Sequence, residues 1–121
     1  MERARIPNLA PGQRHPDWQR VYETAPAQAL PWHFEGVYPD VLRELTARGL
    51  SAGPLLDLGC GLGTQAAVLA DLGFSVTGTD ISQAAIERAS RDFPKPNFLV
   101  DDATQTKITR QFDIIVDRGC F

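Results

Sequence analysis

The stretch LLDLGCGLGTQA, residues 55–66, joins a short apolar run to an acidic residue and three glycines at every second position. The apolar run predicts a buried strand, Leu55–Leu58. Thr64 then begins a helix, which is predicted to stop at Gly73. Glycines between a strand and a helix permit a tight turn and a close approach of the backbone to a bound molecule. The stretch therefore predicts a strand, a ligand-binding loop and a helix, in that order.

Strands and helices alternate along the chain on both sides of this loop. The further elements predicted from apolar spacing, caps and prolines are a short helix within His15–Thr24, a helix over Pro39–Arg48, a strand over Ser75–Thr79, a helix capped by Ser82 and ended by Pro94, a strand over Asn97–Val100 and a strand over Phe112–Val116. Such alternation predicts an α/β fold, a Rossmann-like parallel sheet with right-handed crossovers.

Aspartates mark the ends of the four predicted strands. They are Asp57, Asp80, the pair Asp101–Asp102, and Asp117. Parallel strands bring their carboxyl ends to one edge of the sheet, and ligands of open α/β sheets bind beyond that edge. The sequence therefore predicts a ligand site rich in carboxylates at this edge.

The spacing of the glycines narrows the choice of ligand. Residues 59–63 read GCGLG, a GxGxG rather than the GxGxxG of dinucleotide sites, and Asp57 precedes them. An acid at that point repels a pyrophosphate but suits a cation. Asp80 follows Gly59 by 21 residues, a spacing at which an acid accepts the hydroxyls of a ribose. A cationic nucleoside without phosphate, S-adenosylmethionine, fits this pattern.

Four segments in order carry a resemblance to a known family. The segment from Leu55 to Asp117 resembles the class I S-adenosylmethionine-dependent methyltransferases, with LLDLGCGLG as the first motif, VTGTDIS as the acidic motif, FLVDDA as the adenine motif and FDIIVDRGCF as the fourth. The strings DRGCF and PWHFEGVYP are similar to the branch of thiopurine and tellurite-resistance methyltransferases. The resemblance implies that this chain holds the N-terminal, cofactor-binding half of such a sheet.

The same resemblance implies a role for each motif residue. Gly59, Cys60, Gly61 and Gly63 would let the backbone approach the methionine part and the ribose, and Asp57 would hold the amino group or the loop itself. Asp80 would bind the ribose diol, Ile81 would pack on the adenine, and Asp102, with Asp101 as the alternative, would accept a hydrogen bond from the adenine amino group beside the N–H of Ala103. Trp32 would cover the cofactor, and Asp117 would lie beside the sulfonium and the nucleophile as the catalytic residue.

Each of these residues also has an explanation that involves only the structure of the protein and no ligand. The glycines also suit a plain turn, and Asp80 also suits a cap for the helix at Ser82. Asp102 also suits a solvated turn, Asp117 an ion pair with Arg118, and Trp32 ordinary packing. Two other functions remain as alternatives: a non-catalytic S-adenosylmethionine-binding fragment or pseudoenzyme that needs a partner, and half of a nicotinamide-dependent oxidoreductase domain.

Composition excludes several classes of partner. The net charge is −3 and the basic residues are scattered, which argues against nucleic acid. No apolar run is long enough for a membrane span or a signal peptide, which predicts a cytoplasmic protein. Two cysteines without CxxC spacing predict neither a disulfide framework nor a metal site.

The fourth motif lacks the Asn/Asp-Pro-Pro-aromatic string of enzymes that methylate amino groups of DNA bases, so a small-molecule thiol, chalcogen oxyanion or hydroxyl is the expected substrate.

Prolines divide the chain into two parts. Six of the nine lie in residues 1–39, which predicts a proline-rich segment over residues 1–38. The resemblance implies that this segment is also a cofactor lid and that residues 39–121 form a partial methyltransferase domain. The fourth strand carries apolar residues on both faces, and only Arg118 to Phe121 remain after Asp117, which predicts an exposed edge. A homodimer or a partner chain is expected to cover that edge.

Overall fold

The computed structural model describes residues 17–24, 26 and 37–117. The elements are α1 Trp18–Thr24, α2 Pro39–Ala47, β1 Gly53–Leu58, α3 Thr64–Asp71, β2 Phe74–Asp80, α4 Gln83–Asp92, β3 Asn97–Val100 and β4 Ile114–Asp117. Trp32 and the residues after Asp117, including Arg118 and Cys120, lie outside the described residues.

The four strands form one parallel sheet in the order β3-β2-β1-β4. β1 lies in the middle, with Leu55 opposite Val76 of β2 on one side and opposite Ile114 of β4 on the other. Helices connect β1 to β2 and β2 to β3. The predicted Rossmann-like parallel sheet is confirmed, and the carboxyl ends of all four strands reach the same edge.

Local signals set where the helices begin and end. Pro39 lies in the first turn of α2, where a missing N–H costs nothing. Ser82 caps α4, because its hydroxyl accepts a hydrogen bond from the Ala85 N–H at 3.1 Å. Gly49 and Gly73 follow the ends of α2 and α3 with φ angles of +66° and +117°. The predicted elements are confirmed, with bounds that differ by one or two residues.

The main core lies between the sheet and the helices. Its buried members are mostly aliphatic, and they are Leu45, Leu55, Ala66, Leu69, Ala70, Phe74, Val76, Ile86, Ala89, Phe98 and Val116. A second cluster joins Val21 and Tyr22 of α1 to Ala84 and Ala85 of α4. Part of the predicted lid segment, residues 1–38, therefore packs directly against α4.

Two expectations about apolar faces differ from the structure. On α2 the apolar spacing predicts one buried stripe of Val41, Leu42 and Leu45, but Leu42 is exposed while Leu45 is buried. β4 begins at Ile114 rather than Phe112, and Ile115 is 61% exposed although both faces of the strand were expected to be covered. In the described residues β4 pairs with β1 alone, so the strand is an edge with an uncovered face.

The described residues lack two kinds of feature, a membrane-spanning helix and a metal-binding cluster. None of the helices in residues 17–24 and 37–117 combines the length and the hydropathy of a membrane span. The same residues contain no group of three or more His, Cys, Asp or Glu side chains arranged to hold a metal ion.

Candidate functional site

The glycine loop crosses the carboxyl edge of the sheet between β1 and α3. Gly59, Gly61 and Gly63 have φ angles of +71°, +56° and +82°, a region that side chains rarely adopt. The loop is tied to β2 by a hydrogen bond from the Cys60 N–H to the Thr79 carbonyl at 2.8 Å. The backbone of the loop is therefore held against the end of the neighbouring strand.

Two of these glycines face different neighbours. A Cβ on Gly61 would lie 3.0 Å from the hydroxyl of Tyr22. A Cβ on Gly63 would lie 2.6 Å from Cζ of Phe98 and 2.9 Å from Cβ of Ala89. Gly63 thus lets α3 begin close to β3 and α4, while Gly61 clears space on the side of α1.

Asp80 and the loop form one hydrogen-bonded unit. One carboxylate oxygen of Asp80 accepts from the Gly61 N–H at 3.0 Å, and the other accepts from the Ser82 N–H at 3.0 Å. Burial raises the pKa of Asp80, and the backbone N–H donors oppose that rise. The side chain caps no helix itself, since that role belongs to the Ser82 hydroxyl.

Asp57 is buried inside the sheet edge rather than exposed at it. It is 3% exposed, and its Oδ1 accepts a long hydrogen bond of 3.5 Å from Nε2 of Gln65. Its Oδ2 is a buried oxygen without a hydrogen-bond partner in the described residues. Burial raises the pKa of Asp57 to about 7, the Gln65 amide lowers it, and the nearby Asp80 raises it.

Cys60 has a structural role through its backbone and the packing of its side chain, and its thiol is unreactive. Burial, followed by the charges of Asp57 and Asp80, raises the pKa of its thiol well above the usual value. A thiol in such surroundings stays protonated at neutral pH and is a poor nucleophile. Its Sγ lies 3.1 Å from where a Cβ on Gly78 would stand, so the thiol fills the space left by that glycine.

The two aspartates after β3 have different local partners. Asp101 uses both carboxylate oxygens within its own loop, accepting from the Thr106 hydroxyl at 2.6 Å and from the Lys107 N–H at 3.0 Å. Asp102 accepts with one oxygen, Oδ1, from the N–H and the hydroxyl of Thr104 at 2.9 and 2.7 Å. Ala103, next to Asp102, is half-buried.

The remaining predicted site residues lie at the same edge. Ile81 directly follows Asp80 and is half exposed. Asp117 is exposed at the end of β4 and pairs in register with Leu58, the residue that precedes the glycine loop. The structure thus gathers the glycine loop and the carboxylates of all four strands on one edge.

Tyr22 is a site residue that the sequence analysis missed. Gln19 of α1 accepts hydrogen bonds from the Ser82 hydroxyl at 3.1 Å and from the Ala84 N–H at 2.9 Å. Arg88 of α4 donates to the Tyr22 carbonyl at 2.9 Å. These bonds place the buried Tyr22 hydroxyl over Gly61. In the sequence, the spacing of Trp18 and Val21 places both on one face of a helix, which indicates a packed helix but not where it packs.

Comparison with known proteins shows which protein family this chain matches. Residues 55–121 match the methyltransferase-domain family. A curated relative, a probable thiol methyltransferase from Arabidopsis thaliana, is 31% identical over 110 residues, which cover 86% of this chain and 47% of the relative. The chain spans about half the length of the curated relatives it matches.

Solved structures agree with the family match. A TehB-like S-adenosylmethionine-dependent methyltransferase from Corynebacterium glutamicum superposes with a TM-score of 0.54 at 31% identity, covering 68% of this chain and 53% of that one. A structure from work on the conversion of a disulfide bond into a thioacetal group in echinomycin biosynthesis superposes with a TM-score of 0.69 at 34% identity, covering 84% and 45%. The chain therefore belongs to the class I S-adenosylmethionine-dependent methyltransferase family.

Proposed function

We propose that this chain binds S-adenosylmethionine across the glycine loop and the end of β2, for transfer of its methyl group to a small-molecule nucleophile. One observation carries the proposal: the Gly61 N–H donates to Asp80 Oδ2 at 3.0 Å. This bond unites the loop and the acid in one site at the carboxyl edge, where ligands of open α/β sheets bind.

Asp80 is proposed to hold the ribose diol. An ionised carboxylate has about four acceptor sites on its two oxygens. The backbone N–H groups of Gly61 and Ser82 use one site on each oxygen. The Ile81 N–H also acts on this carboxylate. The acceptor capacity that remains is proposed for the ribose hydroxyls, in the direction that the backbone amides fix.

Asp102 is proposed to accept from the adenine amino group in preference to Asp101. Both oxygens of Asp101 serve the loop after β3, bonding to Thr106 and Lys107. The half-exposed Ile81 offers an apolar side chain to the adenine face, and the Ala103 N–H is proposed to face the ring.

Asp57 and Asp117 are proposed to act at the charged end of the cofactor. The buried carboxyl of Asp57 favours the cationic amino group, and Asp117 at the end of β4 is proposed to lie beside the sulfonium and the incoming nucleophile. Methyl transfer is an in-line displacement, so the protein contributes mainly proximity and orientation. A nucleophile on the protein is unnecessary, and the protonated Cys60 thiol does not supply one.

A thiol is the proposed methyl acceptor. The support comes from the curated relative, which is named a probable thiol methyltransferase, and from the echinomycin structure, whose chemistry concerns a disulfide. The proposal places the reaction in the cytoplasm, in keeping with two cysteines that lack disulfide spacing.

Calorimetric titration with S-adenosylhomocysteine and with NAD tests the cofactor. We expect the first to bind and the second to give no heat of binding, since an acid at Asp57 repels a pyrophosphate. Methyl transfer is then measured on a panel of thiols, with alcohols of matched shape as controls. Binding of NAD alone would contradict the proposed cofactor, and methylation of the alcohols alone would contradict the proposed acceptor.

Replacing Gly61 by valine should weaken binding of S-adenosylhomocysteine at least tenfold, about 1.4 kcal/mol or more. The new side chain would stand over the loop, 3.0 Å from the Tyr22 hydroxyl at its Cβ. Gly49→Val is the matched control, because Gly49 has a similar φ of +66° and nothing within 4 Å of its Cβ position. Calorimetry on both variants checks the prediction; equal affinities for Gly61→Val and the parent would show that the loop is a plain turn.

We propose that the uncovered edge of β4 pairs with a second copy of this chain. β4 is an edge strand of the described sheet and exposes 61% of Ile115. An apolar strand edge without a partner favours pairing with another strand. Ile115→Lys should shift the 121-residue chain from dimer to monomer in sedimentation equilibrium, whereas Leu42→Lys, which alters an exposed leucine on α2, should not. A monomeric parent chain at micromolar concentration would contradict this.

A further inference from the structure

Gln65 is a buried polar side chain that the proposed function leaves without a role. It is the second residue of α3 and 7% exposed. Its buried neighbours on the same helix, Ala66, Leu69 and Ala70, are all apolar. Burial of an amide is costly unless its donors and acceptor find partners. The partners of Gln65 therefore indicate what the side chain does.

Two contacts fix the orientation of the Gln65 amide. Oε1 accepts from the backbone N–H of Tyr38 at 3.2 Å. A backbone N–H is only a donor, so the oxygen end of the amide must face Tyr38 and the NH₂ end must face the other way. That end donates to Oδ1 of Asp57 at 3.5 Å. The amide thus connects the residue that precedes α2 to the acid that precedes the glycine loop.

The carboxyl of Asp57 depends on this single donation. Its Oδ2 is buried without a hydrogen-bond partner in the described residues. Burial raises the pKa of Asp57 to about 7, and among the named causes the hydrogen bond from Gln65 is the one that lowers it. The amide therefore favours the ionised form of Asp57, against the larger effect of burial.

Other charges around Asp57 do not favour its ionised form. Asp80 at the end of β2 and Cys60 in the loop are the titratable groups coupled to it, and the charge of Asp80 raises its pKa. On β4 its partner in register is the apolar Val116, and Asp117 lies one residue further, opposite Leu58. α3 contributes the uncharged Gln65.

We propose that Gln65 is a positioning residue for the cofactor: its amide favours ionised Asp57 and orients that carboxyl relative to Tyr38, so that Asp57 can bind the cationic end of the cofactor. This inference rests on the proposed function, to which it adds a role for Gln65 and a pH dependence of cofactor binding. A cation beside Asp57 favours the ionised carboxyl, so its pKa falls on binding. Affinity is therefore full above the pKa of the free protein and is lost as the pH falls through about 7.

Titration with S-adenosylhomocysteine between pH 5.5 and 8.5 tests the proposal on the full chain. In the parent, affinity should fall as the pH decreases through 7, approaching tenfold per pH unit well below it. In Gln65→Met the fall should begin at higher pH, so the variant binds at least threefold more weakly at pH 7 and approaches the parent at pH 8.5. Gln83→Met is the control, because Gln83 is exposed in the first turn of α4 and bonds to Glu87.

Further variants separate this role from a structural one. Gln65→Glu keeps the shape but loses the donor when ionised, so it should shift the profile in the same direction if Gln65→Met does not fold. In an Asp57→Asn background the loss of affinity around pH 7 should disappear, and Gln65→Met should not shift the remaining profile. A flat profile in the parent, or the same shift from Gln65→Met in the Asp57→Asn background, would overturn the proposal. A parent that does not bind S-adenosylhomocysteine would instead refute the proposed function.

Discussion

Asp80→Ala should weaken binding of S-adenosylhomocysteine by about 30- to 150-fold, which corresponds to about 2–3 kcal/mol. The substitution removes the acceptor proposed for both ribose hydroxyls. It also removes the acceptor for the Gly61 N–H, so the glycine loop loses its attachment to the end of β2. Both losses act on the same site, which makes this the largest effect on binding that we expect from a single side chain.

Two companion variants make the Asp80 result interpretable. Asp71→Ala removes an exposed aspartate that pairs with Lys95 at 3.3 Å, and it should leave affinity unchanged. Asp80→Asn keeps an acceptor oxygen for one amide but loses the charge, so its affinity should lie between those of Asp80→Ala and the parent. Calorimetry at pH 7.5 measures all three. Asp80→Ala binding as tightly as the parent would exclude Asp80 as the ribose contact.

Gly63→Ala should lower the free energy of unfolding by about 2–5 kcal/mol. The left-handed φ of +82° disfavours a side chain by about 1–2 kcal/mol. The new Cβ would also stand 2.6 Å from the Phe98 ring and 2.9 Å from Ala89, and such overpacking adds about 1–3 kcal/mol. Because Phe98 and Ala89 are both buried in the main core, neither can move away without disturbing its neighbours.

Gly49→Ala separates the two contributions to the Gly63 effect. Gly49 has a φ of +66° and open space where a Cβ would be, so it carries the conformational cost without the clash. Urea unfolding of both variants gives the difference, which we expect to be at least about 1 kcal/mol. Equal losses for the two variants would mean that the Phe98 ring yields freely to the new methyl group.

The order of elements could be predicted because each has its own local signal. Strand residues 55–58, the Ser82 cap and the glycines after α2 and α3 act on their immediate neighbours in the chain. Strand bounds were less accurate, since pairing partners decide them: β2 extends from Phe74 to Asp80 because Gly53 and Val100 pair with those residues. The Rossmann-like sheet followed from the alternation alone.

The sequence predicted which residues form the candidate site at the sheet edge, but not the contacts that hold those residues in place. The glycine loop and Asp80 can be recognised from their spacing in the sequence. The supporting contacts instead join segments far apart in the chain: Tyr22 lies over Gly61, Phe98 lies against Gly63, and the Tyr38 N–H donates to Gln65. No periodicity within one segment encodes such contacts. Gly63 illustrates the difference, because its sequence motif suggested a ligand while its neighbours in the structure are a phenyl ring and a methyl group.

The position of β1 in the middle of the sheet also bears on how the chain folds. Pairing β1 with β2 joins residues about 21 apart, such as Gly53 and Phe74, while pairing β1 with β4 joins Leu55 and Ile114, about 59 apart. Loop-closure entropy makes the second pairing about 0.9 kcal/mol more costly. The loop and Asp80 belong to the more local pair, so nascent β1 and β2 can assemble the proposed ribose site before β4 pairs with β1.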